Sequence, residues 1–314
     1  MNSKIQSEIK ELVEQQVISE GIASKIEAYY QSKKDNAPNR LFTVFGVLGA
    51  LLVGLGIILI LAHNWDDFSR SMKTFFAFFP LVIGHGFVGF SILKNKTKVW
   101  KEASGTFLFF AVGSSVSLVS QIYNIPGSVS SFLLTWILLC APLIYLLKSH
   151  MLGILHILFM TYYATDFGYS FLSSSNTPWL YILLLAIAVP YYLQLLKNHI
   201  DSNITSVFNW LLPLSLIIVL GAFIDRIDEF GVLMYVCLFG LFYNIGKMPL
   251  FDNRKLRRNG YLILGSLGTI YMLIITSFDW LWKDRIKNTL DINSQEFYVS
   301  LVIFLMAFGM LVYS

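Results

Sequence analysis

Residues 41–62 read LFTVFGVLGALLVGLGIILILA, a run of 22 residues without a charged side chain. A helix needs about 20 consecutive apolar residues to cross roughly 30 Å of hydrocarbon, so this run predicts a transmembrane helix. The same criterion, applied outward along the chain, predicts about ten spans, near residues 41–62, 72–93, 103–123, 131–147, 150–165, 178–196, 206–224, 230–246, 260–281 and 297–313. The predicted fold is all-α, a polytopic transmembrane helical bundle over residues 41–314.

The composition of the whole chain agrees with a membrane protein. Of its 314 residues 56% are hydrophobic and 13% are charged, and that charged fraction is about half of the roughly 25% usual in soluble domains. Disordered chains are rich in charge, disulfide scaffolds are rich in cysteine, and nucleic-acid-binding domains concentrate basic surface. None of these classes fits, so membrane lipid is the expected partner and no nucleic acid is expected.

The fifth predicted span is the least hydrophobic. Its continuation, residues 161–176, mixes tyrosines with Asp166 and a Ser-Ser-Ser-Asn run at 173–176. Tyrosine and polar residues collect at the membrane–water interface, so the second half of this stretch is interpreted as an interfacial loop.

The basic residues predict the orientation of the chain. If residues 1–40 are cytoplasmic, 17 of the 23 Lys and Arg residues fall on the cytoplasmic side and six on the other. An excess of Lys and Arg marks cytoplasmic loops, so both termini are predicted to be cytoplasmic. The net charge of +4 is thereby explained by membrane topology.

Residues 1–40 form a separate head ahead of the first span. Apolar residues recur at helical spacing through residues 5–30, and this spacing is interrupted near 18–21, which predicts a cytoplasmic helical hairpin followed by a linker. A hairpin of this size buries little apolar surface by itself. It is interpreted as a packing cap on the bundle, and a docking element for a protein partner and a ligand sensor stay open as alternatives.

Two stretches of the chain resemble a known family. The head ends in Ile26-Glu27-Ala28-Tyr29-Tyr30, and the first span closes in Ile60-Leu61-Ala62-His63-Asn64-Trp65. The third span continues as SVSLVSQIYNI at 115–125, followed by LTWILL at 134–139 and Pro142-Leu143. These segments resemble a bacterial integral-membrane family, domain of unknown function 2157, over about residues 1–150. The resemblance implies a protein of the bacterial cytoplasmic (inner) membrane with no assigned activity, and it supplies no catalytic residues.

Two histidines lie inside predicted spans, where ionisable groups are costly and therefore candidates for function. His85 lies near the middle of the second span between Gly84 and Gly86, and His156 lies in the fifth. Each could hydrogen-bond a substrate or carry a proton, or could simply donate to a backbone carbonyl. Neither histidine has a second His or a carboxylate at metal-binding spacing, so no metal site and no cofactor are predicted.

Polar residues also end two spans on the predicted outer side. His63, Asn64 and Asp66 follow the first span, and Ser120, Gln121 and Asn124 end the third. Together with His85 and His156 they form the candidate set for a periplasm-facing pocket. An ordinary belt of polar residues at the interface is the alternative interpretation.

No phosphate loop, nucleophile–base pair or metal motif is present, so catalytic residues are not assigned and an enzyme is not expected. The expected function is a non-enzymatic structural, sensory or partner-regulating role, with a small-molecule or ion transporter as the alternative. A transporter predicts a cavity that reaches the middle of the membrane. Homo-oligomerisation is left open.

Overall fold

The computed structural model describes residues 9, 11–35, 63, 65–169, 177–224, 229–251, 255–279 and 295–313, and the described part contains helices and no strand. The chain divides into two compact units, Met1–Ser69 and Arg70–Ser314. The first predicted span, 41–62, and Asn64 lie outside the described residues.

The first unit contains two helical segments at its start. Residues 11–14 are helical, a turn follows at 15–18 with Gln16 at a φ of 55°, and helix α1 runs over Glu20–Asp35. Ile9 and Ala23 are buried between the two segments. The break lies close to the position that the sequence predicts, and the cytoplasmic location of this head stays a prediction.

The second unit contains nine described helices, one at each remaining predicted span: α2 Arg70–Leu93, α3 Lys98–Tyr123, α4 Val129–Leu147, α5 His150–Gly168, α6 Leu180–His199, α7 Asn203–Leu220, α8 Glu229–Gly246, α9 Gly260–Thr276 and α10 Gln295–Tyr313. Five of the described helices, α2, α3, α4, α6 and α7, are long and apolar enough to cross a membrane, and α8, α9 and α10 include shorter apolar stretches. Large apolar side chains such as Val82 and Leu146 point outward, as they do on helices that face lipid. The protein is a membrane protein with several apolar helices, and the count of about ten spans stays a prediction.

Consecutive helices from α2 to α9 run antiparallel, as contacts such as Ala77–Ser115 and Gly265–Tyr243 indicate. Lys98 contacts His150, and the Arg258 guanidinium contacts Asp201, so residues 94–97, 148–149, 200–202, 247–251 and 255–259 lie at one end. The described residues of the other connections, 124–128, 169, 177–179 and 221–224, lie at the opposite end. The first end is called the basic end here, because ten described Lys and Arg residues lie on it against two described acidic residues, Glu102 and Asp201.

Helix α5 lies at the centre of the second unit and contacts α3, α4, α6 and α7. The fifth span, predicted to end near residue 165, continues as α5 to Gly168 and buries Tyr163, Ala164 and Asp166. The second half of the 161–176 stretch, predicted to be an interfacial loop, lies mostly outside the described residues. The low hydropathy of α5 has a physical reason, which is its enclosure by other helices. A helix surrounded by other helices contacts little lipid, so its hydropathy falls without its leaving the bundle.

Hydroxyl and amide side chains begin several of the helices. Ser128, Ser149 and Ser202 each accept a hydrogen bond from a backbone N–H in the first turn of α4, α5 and α7, and Asn259 does the same for α9. Such caps satisfy donors that have no partner within the helix. Several helix boundaries differ by three to five residues from the predicted spans. The largest differences are that α3 begins at Lys98 instead of 103 and that α9 ends at Thr276 instead of 281. The first difference arises because a hydropathy criterion excludes the charged residues that still continue the helix.

Candidate functional site

A groove of about 850 Å³ lies in the second unit between α2, α3, α4 and the connection 124–128. Three of the predicted pocket residues, His85, Ser120 and Gln121, line it together. The other lining residues are mainly apolar or hydroxyl-bearing: Phe78, Leu81, Val112, Ser115, Val116, Ser117, Val119, Ile125, Pro126, Gly127, Ser128, Val129, Ser131, Phe132, Thr135 and Leu139. The groove has no Asp, Glu, Lys or Arg among these described lining residues.

Close packing of α2 on α3 places His85 in the groove. A Cβ at Gly84 would lie only 3.2 Å from the Leu108 Cα, so Gly84 faces α3 directly. Ala77 is fully buried on the same side, and its carbonyl accepts a hydrogen bond from Ser115. Successive helical residues point about 100° apart, so His85 turns away from this contact and toward the groove.

One ring nitrogen of His85 makes a hydrogen bond to the backbone, and the other has no partner among the described residues. Nδ1 lies 2.8 Å from the Leu81 carbonyl oxygen, one turn earlier in α2. A carbonyl oxygen only accepts, so Nδ1 is the donor in this contact, and Nε2 is the ring nitrogen on the groove side. The side chain is exposed, which makes this nitrogen reachable from the groove.

Two side chains of α3 present further unused polar groups. Ser117 and Gln121 are four residues apart, so they lie on the same face of the helix. Both are exposed, and neither side chain makes a hydrogen bond to the residues that the structure describes. A hydroxyl and an amide, each able to donate and accept, therefore face the groove.

The rim at the opposite end from the basic end is fixed by internal hydrogen bonds. Asn124 adopts the left-handed conformation that ends α3, with φ 50° and ψ 43°, and the Ser120 hydroxyl donates to the Ile125 carbonyl at 2.9 Å. Ser128 and Ser131 form a reciprocal capping box at the start of α4, and their hydroxyls lie 2.8 Å apart. The rim hydroxyls are thus occupied by the backbone and by each other. Asn124 shapes the rim without lining the groove.

The groove extends from this rim to half the depth of the bundle. The lining residue of α3 farthest from the rim is Val112, eleven residues before the end of α3 at Tyr123, and eleven residues of helix correspond to about 16 Å. The unused groups of Gln121 and Ser117 lie near the rim, apolar residues follow, and the imidazole of His85 lies at the deep end. The groove is therefore polar at both ends and apolar between them.

The remaining candidate residues lie elsewhere. His156 is buried, and its Nε2 lies 2.9 Å from the Leu184 carbonyl of α6. This contact agrees with the structural alternative for His156, which does not line the groove. His63 and Asp66 belong to the first unit and are exposed. That His63, Asn64 and Asp66 line one pocket with Gln121 stays a prediction.

A second polar cluster, at the basic end, was not predicted from the sequence. The carboxylate of Glu102 in α3 accepts from the backbone N–H groups of His150 and Met151, at 2.8 and 3.0 Å, and from the Ser149 hydroxyl. The His150 ring contacts Lys98 through Nε2, and its Nδ1 lies 2.7 Å from the Tyr191 hydroxyl. Two features of the sequence could have indicated this cluster. Glu102 is an acidic residue in a basic run, and Ser149 lies in the two-residue connection between α4 and α5. Both features are ordinary by themselves.

The described residues contain no group of three or more His, Cys, Asp or Glu side chains that could hold a metal ion. Cys140 and Cys237 are free and buried. The chemistry available in the groove is therefore hydrogen bonding by Ser117, Gln121 and His85 against an apolar wall.

Comparison with known proteins gives one family. Neither the curated proteins nor the solved structures yield a significant match to the chain. The family described as Predicted membrane protein (DUF2157) matches residues 10–153, which include the head of the first unit and α2 to α4. All of the residues that line the groove fall within this match. The predicted resemblance is confirmed: residues 10–153 of this chain match the predicted membrane proteins of domain of unknown function 2157.

Proposed function

We propose that this protein is a non-enzymatic multi-pass protein of the bacterial cytoplasmic membrane that binds a small uncharged amphiphile in the groove between α2, α3 and α4. The observation that carries the proposal is the groove itself: an apolar wall with the unused polar groups of Ser117, Gln121 and His85.

The size and lining of the groove support a small-molecule ligand. Its volume of about 850 Å³ falls in the range of about 300–1,000 Å³ that holds for ligand pockets, which are typically apolar with a few placed polar groups. The described lining includes no carboxylate, ammonium or guanidinium group. A charged headgroup would find no counter-charge there, so a hydroxyl or carbonyl head on an apolar chain fits best.

The lining also supports binding over catalysis. The hydroxyls of Ser120, Ser128 and Ser131 are bonded to carbonyls or to each other, and the described lining has no carboxylate that could orient His85 as a base. A nucleophile needs both a free hydroxyl beside a base and a group that positions the base.

Charge supports an outward-facing rim. In the described part of the second unit, ten basic residues lie at the basic end and only Arg70 and Lys73 at the opposite end. An excess of Lys and Arg favours the cytoplasmic side, so we place the basic end and both termini in the cytoplasm and the rim of the groove toward the periplasm.

Carriage across the membrane is the second candidate, and the depth of the groove favours it. A carrier needs at least one conformation in which a substrate can reach the middle of the membrane from one side. Below the groove, however, a Cβ at Gly105 would lie 2.7 Å from Leu147 and 2.9 Å from Leu152, so α3, α4 and α5 are closely packed there. In this conformation the groove opens toward one end, and binding is the function that the geometry supports best.

Cysteine labelling in lipid nanodiscs tests the proposal. Ser117→Cys places a thiol in the groove, and Val82→Cys places one on the exposed face of α2 outside it. The native thiols are buried, which keeps the background low. We expect a polar maleimide to label Ser117→Cys at least about ten-fold faster than Val82→Cys, because maleimide reacts with a hydrated thiolate.

Ligand protection then tests the class of molecule. Monolauroylglycerol should slow the labelling of Ser117→Cys, and dodecylphosphocholine, which carries a charged head, should not. Adding Gln121→Ala should weaken the protection about five-fold, as expected for the loss of about one hydrogen bond, whereas Gln194→Ala on the exposed face of α6 should leave it unchanged. Equal labelling at both thiols, or no protection by monolauroylglycerol, would contradict the proposal.

A further inference from the structure

Residues 255–259, the described part of the connection that leads into α9 at the basic end, carry two cations without a described partner. Lys255 and Arg257 are exposed, and neither side chain has a partner among the described residues. Leu256 between them is 62% exposed. Two cations that flank an outward apolar side chain are unusual for a purely structural turn, in which an exposed leucine costs free energy in water.

Three polar side chains hold the backbone of this segment. The Trp210 indole donates to the Arg257 carbonyl at 3.0 Å, and the Asn209 amide of α7 donates to the Arg258 carbonyl at 2.9 Å. Asn259 donates to the Gly246 carbonyl at 2.7 Å, which closes the connection onto the end of α8. These bonds hold residues 257–259 in place before any partner arrives, so less conformational entropy is lost on binding.

Arg258 differs from its neighbours. Its guanidinium contacts the Asp201 carbonyl and lies 2.9 Å from the Asn203 side-chain oxygen, so it ties the connection 247–259 to the start of α7. This contact, together with the bonds from Trp210 and Asn209, leaves Lys255, Leu256 and Arg257 as the segment that faces outward.

We propose that Lys255, Leu256 and Arg257 bind the headgroup region of an anionic phospholipid at the basic face of the membrane. The two cations pair with the phosphate and Leu256 enters the acyl boundary. Lys255, Leu256 and Arg257 lie just before α9, in the connection between the two apolar helices α8 and α9, and in a membrane-spanning arrangement of these helices their outward side chains lie at headgroup depth. Juxtamembrane Lys and Arg residues attract anionic lipid at that depth. The proposal does not depend on a ligand in the groove.

The test uses the full-length protein in dodecyl maltoside and follows its melting temperature during lipid titration. Short-chain dioctanoyl phosphatidylglycerol should raise the melting temperature, and dioctanoyl phosphatidylcholine, which has no net charge, should raise it much less. In Lys255→Gln/Arg257→Gln, the phosphatidylglycerol concentration that gives half of the effect should rise about 25-fold, since each cation near the surface contributes roughly five-fold.

Matched variants separate this site from the general charge of the basic end. Lys94→Gln/Lys197→Gln removes two exposed cations at the same end and should change the half-effective concentration by less than two-fold. Leu256→Ser should also weaken the effect of phosphatidylglycerol. Inorganic phosphate at the same concentrations should not raise the melting temperature.

Three results would overturn the proposal. An equal loss in the two double variants would indicate a diffuse potential, and an equal response to inorganic phosphate would indicate a soluble anion. An unchanged response of Leu256→Ser would exclude entry of the loop into the acyl boundary.

Discussion

At the scale of single residues, several polar side chains of the second unit bond to the backbone of another helix. Glu102 is the clearest case, because its carboxylate in α3 accepts from two N–H groups at the start of α5. These donors have no partner within α5, and a negative charge there is also favoured by the helix dipole. One side chain thus begins a neighbouring helix and fixes its position against α3.

Replacing Glu102 should therefore cost more than replacing an ordinary surface carboxylate. We expect Glu102→Ala to lower the free energy of unfolding by about 2 kcal/mol, the usual size for loss of hydrogen bonds to a charged group. Thermal melting in detergent measures the loss. Lys101→Ala, at a neighbouring half-buried position without a side-chain partner among the described residues, is the control. Equal melting temperatures for the two variants would show that the cap contributes nothing.

The sequence predicted where along each span the candidate residues lie, but not which way their side chains point. A polar residue within a span is visible in the sequence, and this is how His85 and Gln121 were selected. Which way each side chain turns depends on the partner helix: Gly84 packs on Leu108 and so directs His85 into the groove, whereas His156 meets the Leu184 carbonyl. Ser117 belonged to the same helical face as Gln121, but nothing in the sequence distinguished it from serines that bond to the backbone.

At the scale of helices, glycine sets the closest approach in the second unit. A Cβ at Gly265 of α9 would lie 2.5 Å from the Tyr243 backbone nitrogen and 3.0 Å from the Phe239 carbonyl oxygen of α8. Real Cβ atoms do not approach backbone this closely, so the two helices would have to separate. Small residues of this kind allow membrane helices to gain packing energy where no hydrophobic driving force exists.

This contact predicts different effects for two glycines of one helix pair. Gly265→Ala should lower the melting temperature strongly, by the equivalent of about 1–3 kcal/mol, because overpacking forces backbone shifts. Gly240→Ala, where no atom lies within 4 Å of the added methyl group, should leave stability unchanged or raise it by up to about 1 kcal/mol through helix propensity. Melting curves of the two purified variants provide the comparison. A tolerated Gly265→Ala would contradict the described packing of α8 on α9.

Helix positions were largely predictable from hydropathy, and the low hydropathy of α5 shows the limit of that method. Hydropathy measures the fitness of a segment for lipid, and α5 is shielded from lipid by α3, α4, α6 and α7. Tyr163 and Asp166 lower the hydropathy of α5, and both are buried in the bundle. The number of helices around a segment is a property of the fold, and a single segment of sequence does not record it.

At the scale of the whole molecule, the unequal charge of the two ends predicts the sidedness of the bundle. Gly127 lies at the rim of the groove, and Lys94 lies at the basic end. In intact cells, a membrane-impermeant maleimide should label Gly127→Cys and should label Lys94→Cys only after permeabilisation. The reverse pattern would place the groove on the cytoplasmic side and would contradict the orientation that the basic residues predict.

The position of α5 has a consequence for how the protein enters the membrane during synthesis. Only two residues, 148 and 149, separate α4 from α5, while α6 and α7, which later enclose α5, follow it along the chain. Helix α5 carries Asp166 in its last turn, a carboxylate within a span makes insertion less favourable, and the neighbours that shield α5 have not yet been made. We therefore expect the translocon to release α4 and α5 together as a helical hairpin, with the strongly apolar α4 carrying the weaker helix into the bilayer.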